Sequence, residues 1–180
     1  KHLGNVLEPM ALMEDHGADA VRWFMLAAGS PWASRRVSHE SIQEVVRKTL
    51  LTYWNTVSFH VLYARLAGWT PTADSIPDMT DRTLLDRWLA SATHALTDEV
   101  DEALTAFDTR RAGRAIAAFV DDLSNWYVRR SRRRFWEGDP SALATLHEAL
   151  RVVTLCLAPF TPFITERVWQ DLFRTTDPAA

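Results

Sequence analysis

Between Asn125 and Trp136 the sequence reads NWYVRRSRRRFW, five arginines and four aromatic rings with no acidic residue among them. A guanidinium is a planar fork of donors that matches a phosphate, and neighbouring rings can stack on unpaired bases. That chemistry is recognition of a nucleic acid rather than bond making, with Arg129, Arg130, Arg132, Arg133, Arg134 and Trp136 as the candidate contacts. The same residues also serve two plainer ends. One is a solvated helix end; the other is pairing with carboxylates of the chain itself, such as Asp86, Glu99 or Glu102, or of a docked domain. The segment stands out against its background: residues 126–136 contribute five positive charges, whereas the chain as a whole has a net charge of −3.

Other chemistry is scarce. The six histidines lack metal-ligand spacing and a single cysteine, Cys156, cannot complete a zinc cluster or an internal disulfide, so no metal and no zinc are expected. Cys156 sits in the apolar run VVTLCLAPF and reads as a small buried hydrophobe. Apolar runs stop short of the roughly 18 residues needed to span a membrane, which points away from a membrane partner and toward a soluble, reducing, cytoplasmic setting.

The elements that must position these groups are helical. Pro9 and Gly17 punctuate a first short helix, and Ala18 to Ala28 gives a second. Gly29 to Val37, GSPWASRRV, is a loop carrying Trp32, Arg35 and Arg36. Ser38 caps a long helix that reaches Gly68, and the proline-rich WTPTADSIPDM follows as a linker. Thr80, with Met79 and Leu84 at staple spacing, is the expected cap of the next helix, which runs to about Phe107. Asp108 caps another to Gly138, Asp139-Pro140 opens a third that ends before Pro159, and Thr161-Pro162 opens a last one to about Arg174. Long helices joined by short turns predict an all-α up-down bundle over 38–180, preceded by a small helical segment over 1–37.

At about 100° per residue, Ile116, Phe119, Val120, Leu123, Trp126 and Tyr127 fall on one stripe. The straight projection carries that stripe on to Arg130 and Arg134, with Asn125, Arg132 and Trp136 opposite and Arg129 to one side. Unpaired buried charge is costly, so Arg130 and Arg134 require a partner or a protruding helix end. In LTYWNTVSF, the residues Tyr53, Trp54 and Val57 also fit a core stripe.

Three stretches resemble a known family. Lys1 to Leu26, KHLGNVLEPMALMEDHGADAVRWFML, is similar to the region after the KMSK signature of class I aminoacyl-tRNA synthetases, with Gly4-Asn5-Val6, Pro9 and His16 to Arg22 standing at the family's GNV, P and GADA positions. Asp121 to Trp136, DDLSNWYVRRSRRRFW, and Ala158 to Leu172, APFTPFITERVWQDL, resemble helices of isoleucyl-tRNA synthetases, and KHLGN suits that family better than the valine enzymes. In this order the motifs are specific, while valyl- and leucyl-type synthetases and a helical protein-docking module stay open.

The resemblance implies an anticodon-binding bundle, a stem-contact segment over 1–37, and the tRNA for isoleucine and the enzyme's own catalytic domain as partners. It implies that ATP is used by a longer, monomeric parent, that Lys1 is the signature lysine facing the ATP phosphates, and that the chain opens in mid-motif without catalysis of its own. Asn55 becomes the candidate to read a base edge, since its amide both donates and accepts. Arg35 and Arg36, with Trp32, become candidates for the tRNA stem. Asp19 and Arg22 read as an exposed helical pair of small worth.

Overall fold

The structure, a computed structural model, describes residues 7–30, 32–34 and 36–175. Lys1 and Arg35 lie outside them. All regular elements among the described residues are helical. Helix α1, Pro9–His16, opens on a proline in its first turn, and Glu8 caps it by accepting from the Ala11 N–H at 2.9 Å. Gly17, at φ +85°, stops it and leads straight into α2, Ala18–Ala27.

Ser38 caps α3, His39–Val45, as its spacing predicts, and α3 passes through a π-helical turn, Val46–Leu50, into α4, Leu51–Ala67. The next helix does not start at Thr80. Met79–Asp81 forms a short 3-10 turn, and α5, Leu84–Thr105, is capped by Thr83. The reason is reciprocal bonding: the Thr83 hydroxyl accepts from the Asp86 N–H while the Asp86 carboxylate accepts from the Thr83 N–H at 3.0 Å. Asp108 caps α6, Thr109–Asp121, which continues through a π-helical stretch, Asp122–Val128, into α7, Arg129–Trp136. Asp139 caps α8, Pro140–Leu157. Helix α9, Pro162–Val168, then ends in a π-helical turn, Trp169–Phe173.

Helix α5 packs on α6 and α8, and α4 on α8 and the 122–128 stretch. Leu89, Ile116, Leu123, Leu143, Leu150 and Tyr53 are among the buried side chains of this core, and a buried leucine or isoleucine is worth about 1.5–3 kcal/mol. A smaller cluster of Leu12, Ala20, Phe24 and Ile42 joins α1, α2 and α3. Helix α2 serves both: Trp23 and Ala27 point into the main core, Ala20 and Phe24 into the small one. Gly113 permits that contact, because a Cβ there would stand 2.4 Å from the Ala27 Cβ. Buried beneath α4 and α8, His60 Nε2 and His147 Nδ1 share a hydrogen bond at 3.2 Å beside Trp69 and Phe173. Among the described residues no helix is long and apolar enough to cross a membrane.

Candidate nucleic-acid interface

The faces of the arginine helix differ from a straight projection because of the π-helical stretch at 122–128. A turn closed by i→i+5 bonds consumes one residue more than an α turn, so everything beyond it is rotated back by roughly 100°. The buried line therefore runs Leu123, Tyr127, Ser131, Phe135, with Val128 beside it. Trp126, expected in the core, is turned out to 47% exposure, and its ring lies 4.0 Å from the Arg130 guanidinium. Arg130 does not prolong the core face; it covers its own helix's indole.

Arg134 sits at the flank of the buried line and finds carboxylates of its own chain. Its Nη1 and Nη2 donate to Asp86 at 2.8 and 2.7 Å and its Nε donates to Asp139 at 2.7 Å. Asp86 is fully buried and also accepts from the Tyr127 hydroxyl at 2.7 Å. Burial alone raises a carboxyl pKa, but the hydrogen bonds from Arg134, Tyr127 and Thr83 outweigh it and hold Asp86 below its ordinary value. Burial together with the Asp86 charge pushes the Tyr127 phenol well above its ordinary value. Arg82 makes a parallel pair, donating Nη2 to Glu148 at 2.9 Å. Of the sequence candidates, then, Arg134 is a structural residue that fastens α7 to the start of α5. Arg133 donates to Glu137 at 2.8 Å on the exposed side.

Arg129 and Arg132 have no ion pair or hydrogen bond with another described residue. They line a groove of about 430 Å³ between α4 and the 122–136 rod, together with Asn55, Ser124 and Asn125 on its walls and Thr56, Phe59 and Val128 on its floor. Asn55, singled out in the sequence, is thus brought against two of the five arginines. Spacing places it there: Asn55, Phe59 and Tyr63 recur every fourth residue on one face of α4. Phe59 packs edge-on against Phe135 at 5.1 Å and lies 4.5 Å from Tyr63. The Tyr63 hydroxyl accepts from the Trp136 indole N–H at 2.6 Å, which orients a ring that remains 70% exposed. Two free guanidinium groups, two amides and an oriented, exposed indole are a set that can hold phosphates, read base edges and stack a base.

Asn125 and Tyr63 were not legible as site residues; the signal for Asn125 is its place one turn before Arg129. Its amide donates to Asp121 at 2.6 Å. Trp54, expected in the core, is 40% exposed and lines a separate groove with Val61, Arg65 and Leu172. Arg36 is exposed beside the α1–α2 pair. No cluster of histidine, cysteine or carboxylate side chains that could hold a metal ion occurs among the described residues.

Asp19 and Arg22 do not pair with each other. The Asp19 carboxylate accepts from the Phe163 and Ile164 N–H groups at 3.3 and 2.7 Å, and Arg22 donates to the Phe160 and Pro159 carbonyls at 3.1 and 2.8 Å. The GADA and APF stretches are therefore two halves of one contact.

The fold is that of the helical region of tRNA synthetases. A methionyl-tRNA synthetase of Mycobacterium tuberculosis, solved with methionyl-adenylate, superposes at a TM-score of 0.79 over 93% of this chain and 34% of that one, with 20% sequence identity. Residues 86–179 match the family described as the anticodon-binding domain of tRNA ligase, and the chain belongs to that family. It is similar over its whole length to isoleucine–tRNA ligases: 67% identical over 180 residues to that of Streptomyces coelicolor and 43% identical over 186 residues to that of Thermus thermophilus. The chain spans 17% of the first of these relatives and 18% of the second.

Proposed function

We propose that this chain is the part of an isoleucine–tRNA ligase that holds the anticodon arm of its tRNA, with the bundle over 38–180 taking the anticodon and the segment over 1–37 meeting the stem. The observation that carries this is the meeting of Asn55 and Asn125 with the unpaired Arg129 and Arg132 in one groove, whose Phe59 packs against Tyr63, the hydrogen-bond partner of Trp136. The arginines would neutralise phosphates, the amides read base edges, and the Trp136 ring receive an unstacked base.

In the longer ligase, ATP and isoleucine form an adenylate and the amino acid passes to the terminal ribose of the tRNA. The residue of this chain that the resemblance assigns to ATP is Lys1, and the described residues are given no step of that chemistry. The same reading makes the ligase a monomeric, cytoplasmic enzyme whose own catalytic domain is this region's neighbour.

The test is base discrimination. A hairpin carrying the isoleucine anticodon should bind more tightly than one with a changed anticodon, and Asn55→Ala should narrow that difference by about tenfold, roughly 1.4 kcal/mol. Equal binding of both hairpins by the unaltered chain would overturn the reading.

A further inference from the structure

The two amides of the groove differ in how they are held. Asn55 makes no hydrogen bond with another described residue, so its amide can turn either edge to a ligand. Asn125 is committed: its Nδ2 donates to the Asp121 Oδ1 at 2.6 Å, across the junction of α6 with the π-helical stretch. An ionised carboxylate only accepts, so one orientation of the amide bonds it and the other sets the amide oxygen against the carboxylate oxygens. Both residues are exposed, and it is this bond rather than packing that sets the orientation.

The direction of the bond decides what the groove is offered. Asp121 stands one turn before Asn125 and is not among the described residues that line the groove; Arg129 stands one turn after it and is. The two arms of an amide diverge, so the nitrogen, second hydrogen included, is drawn to the Asp121 side. The Oδ1 arm is left on the Arg129 side, where no described residue donates to it. The wall therefore carries a fixed acceptor next to an unpaired guanidinium. A base that brings an exocyclic amine to that acceptor gains a hydrogen bond, whereas one that brings a carbonyl oxygen sets acceptor against acceptor and leaves both unpaired. Asn55, free to turn, does not make that distinction.

We propose that Asp121 is a positioning residue for base reading: it holds the Asn125 amide with its carbonyl toward the groove, and Asn125 thereby selects an anticodon base that presents an exocyclic amine. This rests on the reading of the groove as an anticodon-arm site. Asp121 touches no base, and its negative charge beside a phosphate-binding groove works against affinity. The residue adds selectivity, not strength of binding.

The test measures binding of the 180-residue chain to the isoleucine anticodon hairpin and to two versions of it that each lack one anticodon amine, guanine replaced by hypoxanthine or adenine by purine. For the unaltered chain, at least one deletion should weaken binding by about tenfold. Asn125→Ala should erase that penalty. Asp121→Asn, whose amide bonds Asn125 in either orientation, should cut it to about threefold or less while binding the full hairpin no more weakly than the unaltered chain does. Asp121→Glu, which only accepts, should keep it. A full penalty that survives Asn125→Ala or Asp121→Asn would overturn the proposal, and so would an Asp121→Asn variant that loses affinity equally for all three hairpins, the mark of a merely structural role. No penalty in the unaltered chain would also overturn it, and would leave the groove reading standing where a changed anticodon still binds more weakly. Equal binding of hairpins with the isoleucine and a changed anticodon would remove the groove reading and this proposal with it.

Discussion

Arg134→Met is expected to lower the free energy of unfolding by about 3–5 kcal/mol, the largest single effect outside the apolar core. The methionine keeps most of the packing volume but removes both bonds to a carboxylate that is fully buried. Asp86 then retains Tyr127 and Thr83 as donors and loses its compensating charge. The lost contact to Asp139, which is partly exposed, adds less. Asp86→Asn/Arg134→Met should be more stable than Arg134→Met alone, because asparagine still accepts from Tyr127 and carries no charge to leave unpaired. Urea unfolding followed by circular dichroism at pH 7 measures both. The pair also fixes the sign of a pH effect. Asp86 titrates below its ordinary value in the folded chain, so its contribution is present above about pH 4 and fades as pH falls through its lowered pKa. The gap between the unaltered chain and Arg134→Met should close there.

The buried histidine pair gives the second large effect, in a different window. Burial holds both rings neutral, with the neighbouring ring adding to the effect at His60; the pKa falls to about 3 for His60 and about 4 for His147, against 6.5 when exposed. At His147 the Glu148 charge opposes the fall and Arg151 adds to it. Below pH 6.5 the unfolded chain binds protons that the folded chain refuses, so stability must drop as pH falls from 6.5 toward 4. Each group contributes up to about 1.4 kcal/mol per pH unit, so the combined loss between pH 6.5 and 4.5 is on the order of 3–5 kcal/mol. Chemical unfolding at a series of pH values checks this, and His60→Leu/His147→Leu should flatten the curve across that interval. A slope that survives the double substitution would mean that other groups carry it.

Much of the bundle was legible in the sequence because caps are local: Ser38, Asp108 and Asp139 each act on residues two or three positions ahead. The displaced start of α5 is the exception that follows the same rule, since it is Asp86, not the staple at Met79, that decides which threonine caps. Side-chain faces were legible only as far as the α-helical period held. The stripe from Ile116 to Leu123 is where the projection put it, and Tyr127 stays on it; within and past the π-helical stretch the buried line shifts, so Trp126 emerges and Ser131 and Phe135 continue the line in place of Arg130 and Arg134. Tertiary pairing was the least legible. Nothing local to GADAVR says that its aspartate and arginine serve a turn beginning at Pro159, and nothing local to the scattered histidines says that His60 meets His147. The groove was half legible: Asn55 and the arginines were candidates, but only the packing of α4 on the 122–136 rod selects Arg129 and Arg132 and assigns Arg134 to the interior.

That selection can be measured through salt. Each phosphate contact to a single strand contributes about −0.7 to the slope of log affinity against log salt concentration. With the isoleucine anticodon hairpin, Arg129→Ala/Arg132→Ala should flatten the slope by about 1.4, whereas Arg133→Ala, whose guanidinium is held by Glu137, should leave it nearly unchanged. An unchanged slope in the Arg129/Arg132 variant would contradict the account, because the groove would then hold no phosphate.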